Sequence, residues 1–220
     1  MRRLFIVIAF VLFVAAMWVG LTRGAMEGPA ANPDSPVRNI IYVHVPSSIT
    51  ALGCFVVLLV AALAVLAGGR PWWDHLAAAT AEVGLVFATV LNLTGMIWSR
   101  AEWGPWWTPS PRLLSAAILW FLYVVMLILR SSLPGSPQRR ARICAVFAVI
   151  AFLDVPMVIY SARFMADIHR PDFSFTSPWQ HAAFFLSMVA TGMLAGVLIS
   201  LRTETIKLKA LLEQQTSIGD

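Results

Sequence analysis

The sequence predicts an all-α integral membrane protein with six transmembrane helices, and three observations lead to this fold class. Hydrophobic residues make up 59% of the 220 residues and charged residues only 12%, against roughly 45–50% and about 25% in soluble domains. Six apolar stretches approach the length of about 20 residues that a spanning helix needs. The segments between them are short, so residues 1–220 are predicted to form a single membrane domain.

The predicted spans follow one another from the N-terminus with little sequence left over. They cover residues 4–22, 46–68, 76–97, 113–130, 142–162 and 180–201. The first span follows Arg2 and Arg3, and its apolar run is longer than the roughly 7–15 residues of a signal peptide core. We therefore expect a retained anchor. Residues 203–220 are polar and are predicted to form a cytoplasmic tail.

Basic residues are divided unequally between the two sets of connections and predict the orientation. Ten lysines and arginines lie at the N-terminus, near 69–75 and 131–141, and in the tail, whereas six lie in or beside the connections 23–45, 98–112 and 163–179. Basic connections favour the cytoplasm. Both termini are therefore predicted to be cytoplasmic, and three loops outward, in the periplasm if the host has two membranes. The net charge of +5 then reflects cytoplasmic loops rather than nucleic-acid binding.

The composition and motifs argue against most enzyme classes. A chain this apolar is not a soluble enzyme, a disordered protein or a disulfide scaffold. Cys54 and Cys144 stand alone in apolar runs, and no C-x-x-C pair is present. We also find no phosphate-binding loop of the G-x-x-x-x-G-K-[ST] type, and no nucleophile–base pair. We therefore expect a protein that is not an enzyme.

The outward loop 98–112 is rich in tryptophan. It carries Trp98, Trp103, Trp106 and Trp107, with Gly104 and several prolines between or after them. Glycine and proline favour turns over a regular helix, so we expect the loop to be irregular. Its flat rings suit a flat aromatic ligand, and Arg112 at its end suits an anionic group of that ligand. The alternative is an interfacial aromatic belt with no ligand.

Two of the four histidines lie in the outward loops. His44 is two residues before Pro46, which is predicted to open the second span because proline is favourable at a first helical position. His169 lies in the third outward loop. Two imidazoles from separate loops can approach one plane from opposite sides, as axial donors to a haem iron do. Ordinary hydrogen-bonded histidines are the alternative. His75, in a cytoplasmic turn, is interpreted as an interfacial residue, and His181, at the outer start of the sixth span, as one that caps or anchors that end.

Three polar residues fall inside predicted spans. Glu82 and Asn92 lie in the third span, and Asp154 lies in the fifth, close to Pro156. Acids within a membrane are costly and usually face a bundle interior or a wet cavity. A proton path or a counter-charge is one interpretation. A structural role, with Asp154 capping a kink at Pro156, is the other.

Several motifs of this sequence resemble those of a known family. Residues 40–46, which end in Tyr42-Val43-His44-Val45-Pro46, resemble the segment ahead of the second span in the cytochrome c maturation protein C (haem exporter protein C) family. The run 103–107, with Trp98 upstream and Arg112 at the end, is similar to its tryptophan-rich loop. Residues 156–161 followed by His169 resemble the end of its fifth span.

This sequence also departs from the family pattern at three places. Pro109 and Ser110 stand where the family continues its loop with Trp-Asp. Residues 163–165 replace a tryptophan pair, and Arg38 lies one place away from the usual basic residue ahead of His44. The two histidines and the core of the loop are retained.

The resemblance implies a function in the bacterial inner membrane. Such proteins hold haem b non-covalently at the outer face, so His44 and His169 would be axial ligands, and Trp98, Trp103, Gly104, Trp106, Trp107 and Arg112 would form the remaining site. They present the haem to a haem chaperone, the E protein of the maturation system. The implied partners are the A–B subunits of an ABC transporter and a small D subunit, besides membrane lipid. Alternatives are a transporter subunit that moves haem across the bilayer, with Glu82, Asn92 and Asp154 along its path, and a structural subunit of an ABC-type complex.

Overall fold

The computed structural model describes residues 2–26, 36–164 and 175–219, which are helical almost throughout. Six segments among these residues are long and apolar enough to cross a membrane, as the sequence predicts. The helices are α1 (Arg2–Thr22), α2 (Ile41–Leu66), α3 (Trp72–Trp103), α4 (Pro111–Ser132), α5 (Pro137–Ala151), α6 (Asp154–Phe164) and α7 (Pro178–Gly219). Two of them, α5 and α6, together make the fifth span.

The helix α3 is longer than predicted, which corrects the extent of the outward loop 98–112. Residues 98–103 continue the helix, so Trp98 and Trp103 are helical rather than irregular. The helix ends at Gly104, whose φ of +95° lies in the left-handed region that glycine adopts without a Cβ penalty. Within 98–112, the glycine and the prolines that disfavour a helix occur only from Gly104 onward. The irregular loop is therefore 104–110.

The start of α2 also differs from the prediction. A short 3₁₀ turn over Pro36–Ile40 leads into the helix, which begins at Ile41, so Pro46 lies inside α2 rather than at its first position. Proline's fixed φ is compatible with the helix, and its missing N–H removes one hydrogen bond near the helix start. His44 consequently lies within the first turns of α2 and not before them.

The fifth span is interrupted at Phe152 and Leu153. Pro156 has no N–H to donate to the carbonyl group of Phe152, and its ring would crowd that carbonyl. The N–H of Val155 donates to the Phe152 carbonyl instead, at 3.0 Å. The break separates two packing partners, since α5 packs mainly against α2 whereas α6 packs mainly against α4.

Small residues allow the close packing of α2 and α3, the most extensive helix pair in the described fold. Ala51 and Ala61 on α2, with Ala81 and Ala88 on α3, are fully buried, and small side chains let membrane helices approach closely. The Tyr123 ring from α4 fills the adjoining space, and its hydroxyl group donates to the Ala51 carbonyl at 2.8 Å. Helix α1 packs mainly against α7, and its other faces expose large apolar side chains suited to lipid.

Candidate functional site

A cavity of about 820 Å³ lies where α2 and α4 begin and where α3 and α6 end. This volume is within the range of roughly 300–1,000 Å³ that is typical of ligand sites. The described residues that line it are Met26, Arg38, Ile41, His44, Val45, Ser48, Ile49, Leu52, Leu91, Asn92, Gly95, Met96, Trp98, Glu102, Trp103, Trp106, Trp107, Arg112, Leu113, Ala116, Val158 and Ile159. Most of these side chains are apolar, with a few polar groups placed among them.

His44 is positioned against α3 by three residues of that helix. The imidazole is 8% exposed, and its Nδ1 atom lies 3.0 Å from the Thr94 hydroxyl oxygen. A Cβ atom on Gly95 would lie 3.1 Å from His44 Cε1, so the absence of a side chain there makes room for the ring. The Trp98 ring meets the imidazole edge-on, with centroids 5.8 Å apart.

The four tryptophans of the predicted site all line this cavity. Trp98 and Trp103 come from the last turns of α3, whereas Trp106 and Trp107 come from the loop that follows. The loop rings are far from buried, and Trp106 is 55% exposed. The cavity therefore has aromatic side chains in its wall, which suits a ligand with a large flat face.

The loop 104–110 is held against the end of α3 by side chains of that helix. The buried Ser99 hydroxyl group donates to the Pro105 carbonyl at 2.9 Å. Arg100 donates to the Gly104 carbonyl, and its guanidinium carbon lies 5.9 Å from the centroid of the Trp106 ring, within cation–π range. These contacts hold the first part of the loop, through Trp106, against α3.

Charged residues form part of the cavity wall. Arg38, on the 3₁₀ turn, makes a two-point ion pair with Glu102 near the end of α3. Arg112 lies in the first turn of α4 and also lines the cavity. A guanidinium group of this kind can bind a carboxylate through two parallel hydrogen bonds.

Two residues of the predicted site are not placed in this wall. Gly104 ends α3 with a positive φ and is not among the lining residues, so its visible role is conformational. His169 lies outside the described residues. The structure thus brings together His44, Arg112 and the four tryptophans.

The polar residues within the spans have separate surroundings. Glu82 forms an ion pair with Arg202 of α7, at 2.5 and 2.9 Å. Asn92 lines the cavity and donates to the carbonyl groups of Ala88 and Ala116. Asp154 begins α6 just after the break and before Pro156, and its Oδ2 atom has no hydrogen-bond partner among the described residues. These three residues do not form one cluster.

Sequence reasoning missed Thr94, Gly95 and Glu102 as residues of the site. The sequence signal for the first two is a threonine followed by a glycine within an apolar helix. Both residue types allow membrane helices to approach closely. The pairing of Glu102 with Arg38 joins residues 64 positions apart, and no local pattern indicates it.

The fold and cavity define a class, a six-span membrane protein with an aromatic-walled cavity at one end of its helix bundle. The family model described as Heme exporter protein C matches residues 1–217. The chain therefore belongs to the Heme exporter protein C family. With its six spans, it is a multi-pass protein of the bacterial inner membrane.

Relatives of this name occur in several bacteria. The chain is 28% identical to Heme exporter protein C of Bradyrhizobium diazoefficiens over 72% of its own length, and 29% identical to that of Escherichia coli over 71%. It is 29% identical to that of Rhodobacter capsulatus over 87%. The matches span 59%, 64% and 82% of these three relatives respectively.

Proposed function

We propose that this protein binds haem b non-covalently at the outer face of the inner membrane and presents it to a haem chaperone during the maturation of c-type cytochromes. One observation carries the proposal. A buried imidazole, that of His44, lines a cavity that also has four tryptophans in its wall. An axial nitrogen donor and flat apolar rings are what an iron porphyrin needs from its site.

The positions of the described residues support a proposed role for each of them. His44 would ligate the iron, and Trp98, Trp103, Trp106 and Trp107, which line the same cavity, would contact the porphyrin ring. Arg112 pairs with a propionate group, because guanidinium binds carboxylate in a fork. His169 is proposed as the second axial ligand. The relatives' printed name, Heme exporter protein C, supports haem as the cargo.

The proposed orientation places the cavity in the periplasm. The first turns of α2, the loop 104–110 and the first turn of α4 lie at one end of the bundle. The proposed partners, besides the chaperone, are the A–B transporter subunits and the small D subunit. This chain's own contribution is to hold haem and make it accessible, which agrees with the exposure of the loop tryptophans.

A transfer experiment tests this function. Purified protein in lipid nanodiscs is loaded with haem and mixed with the haem chaperone, and haem on the chaperone is measured after denaturing electrophoresis. We expect transfer from the wild type and from Trp72→Ala, a control at the other end of α3. A Trp106→Ala, Trp107→Ala double variant should transfer at least about tenfold less haem. Stacking of a nucleobase on an aromatic side chain is worth about 1–3 kcal/mol, and the porphyrin ring offers a similar flat face.

Two results would overturn the proposal. One is equal transfer by the wild type and the double variant. The other is directional haem flux across sealed vesicles containing this chain alone, which would make the protein a transporter rather than a presenting subunit.

A further inference from the structure

The Thr94 hydroxyl group has its single proton committed to the backbone of α3. Its Oγ1 atom lies 2.6 Å from the Val90 carbonyl oxygen, one turn earlier, and 3.2 Å from the Leu91 carbonyl oxygen. A carbonyl oxygen can only accept. The hydroxyl group is therefore the donor in this contact, and its oxygen lone pairs are directed to other partners.

His44 Nδ1 lies 3.0 Å from that same oxygen. Because the hydroxyl proton goes to the carbonyl group, the imidazole must donate, and the proton of the neutral ring is on Nδ1. The second ring nitrogen, Nε2, then carries the lone pair. Neutral imidazole ligates a metal through such a nitrogen, and its tautomer is set by the hydrogen bond that the other nitrogen makes.

Two neighbours of Thr94 fix the plane of the ring. Gly95 leaves space for His44 Cε1, since a Cβ atom there would approach it to 3.1 Å. Trp98, one turn after Thr94, meets the ring edge-on with an interplanar angle of 69°. The tautomer and the ring orientation are therefore both determined from one face of α3.

We propose that Thr94 is a positioning residue that holds His44 in the tautomer with Nε2 unprotonated, ready to bind the haem iron. The proposal rests on the proposed function for the identity of the ligand, but the tautomer itself is a property of the ligand-free protein. Thr94 acts through His44 and touches no iron. Thr94→Ser keeps the hydroxyl group that accepts the hydrogen bond from His44. Thr94→Val preserves the shape of the side chain but removes that hydrogen-bond acceptor.

Nitrogen NMR of the ligand-free protein tests the tautomer directly. Protein with ¹⁵N-labelled histidine is reconstituted in nanodiscs, and the His44 signals are identified by their loss in His44→Gln. We expect the wild type and Thr94→Ser to show a protonated Nδ1 and an unprotonated Nε2. In Thr94→Val the proton should move wholly or partly to Nε2. A wild type with its proton on Nε2, or a Thr94→Val spectrum identical to that of the wild type, would overturn the proposal.

A second measurement connects the tautomer to the cargo. In haem-loaded protein, Thr94→Val should lower haem affinity about tenfold or more, the usual effect of losing a hydrogen bond behind a metal-binding histidine. It should also raise the midpoint potential of the haem. An imidazole whose Nδ1–H no longer donates a hydrogen bond gives less electron density to the ferric iron. Thr94→Ser should restore both.

The two measurements separate the two proposals. If the ligand-free NMR result holds and neither the wild type nor any variant binds haem, the proposed function fails, whereas the control of the His44 tautomer by Thr94 stands. If haem binds through His44 and Thr94→Val changes neither the tautomer nor the potential, the positioning role fails alone.

Discussion

Arg38 and Glu102 form an ion pair that joins the 3₁₀ turn before α2 to the last turn of α3, across the wall of the cavity that contains His44. The Arg38 Nε atom donates to a Glu102 carboxylate oxygen at 3.0 Å, and Nη2 donates to the other oxygen. Their side chains are only 31% and 21% exposed. The pair therefore fastens the turn that leads into α2, the helix carrying His44, to the end of α3, which carries Trp103.

The first prediction concerns this pair. Arg38→Gln and Glu102→Gln should each destabilise the protein by about 1 kcal/mol, at the upper end for accessible ion pairs because of the two-point geometry. Thermal unfolding in detergent measures the effect. The charge-swapped Arg38→Glu, Glu102→Arg variant should recover part of the loss. If the charge-swapped variant recovers none of the stability lost in the two single variants, the ion pair contributes nothing.

The second prediction concerns Gly95. Gly95→Ala places a Cβ atom 3.1 Å from His44 Cε1, so the imidazole must shift by a few tenths of an ångström. We expect haem retention to fall about tenfold, because small displacements of reacting groups have large effects. Gly53→Ala is the matched control, since a Cβ atom on this α2 glycine meets nothing within 4 Å. Equal haem retention in the two variants would contradict the tight fit of His44 against α3.

The third prediction concerns the opposite end of the bundle. Arg130 on α4 donates to both carboxylate oxygens of Asp74 on α3, at 2.7 and 2.6 Å, and both side chains are 17% exposed. Arg130→Met alone should destabilise the protein by about 3–5 kcal/mol, because it leaves a largely buried carboxylate without its partner. The double variant Arg130→Met, Asp74→Leu should be closer to the wild type. Unfolding free energies measure both, and a milder effect in the single variant would contradict the expectation.

The fourth prediction concerns the orientation in the membrane. The native Cys54 and Cys144 are buried, so single cysteines introduced into a Cys54→Ala, Cys144→Ala background report exposure cleanly. We expect Pro109→Cys, in the loop after α3, to react with a membrane-impermeant thiol reagent added to the periplasmic side. Gln138→Cys, in the first turn of α5, should react only after the membrane is opened. The reverse pattern would place the cavity on the cytoplasmic side.

The spans could be predicted from the sequence because each is a long apolar run that satisfies its backbone hydrogen bonds internally. Helix limits were harder to predict. The glycine and prolines of 98–112 predict a loop over the whole segment, but they begin only at Gly104, so α3 continues through Trp98 and Trp103. Pro46 suggested a helix start, although the preceding 3₁₀ turn lets α2 begin at Ile41.

The candidate site was predictable only in part for a related reason. His44, Arg112 and the four tryptophans are chemically conspicuous, and they do line one cavity. The contacts that position them are not conspicuous, since Thr94 and Gly95 resemble ordinary packing residues of an apolar helix. Their roles depend on how α2 lies across α3, and this crossing is set by small residues along the whole helix pair.

The spectrum of haem bound to histidine variants decides whether His44 holds the iron. The wild type, His44→Ala and His75→Ala are purified with haem in nanodiscs, and visible and electron paramagnetic resonance spectra are recorded at equal protein concentration. His75 lies in the first turn of α3, at the far end of that helix from Trp98. We expect a six-coordinate low-spin spectrum from the wild type and from His75→Ala, and loss of this signal with reduced haem content in His44→Ala. An unchanged low-spin spectrum and full haem content in His44→Ala would contradict the proposed site.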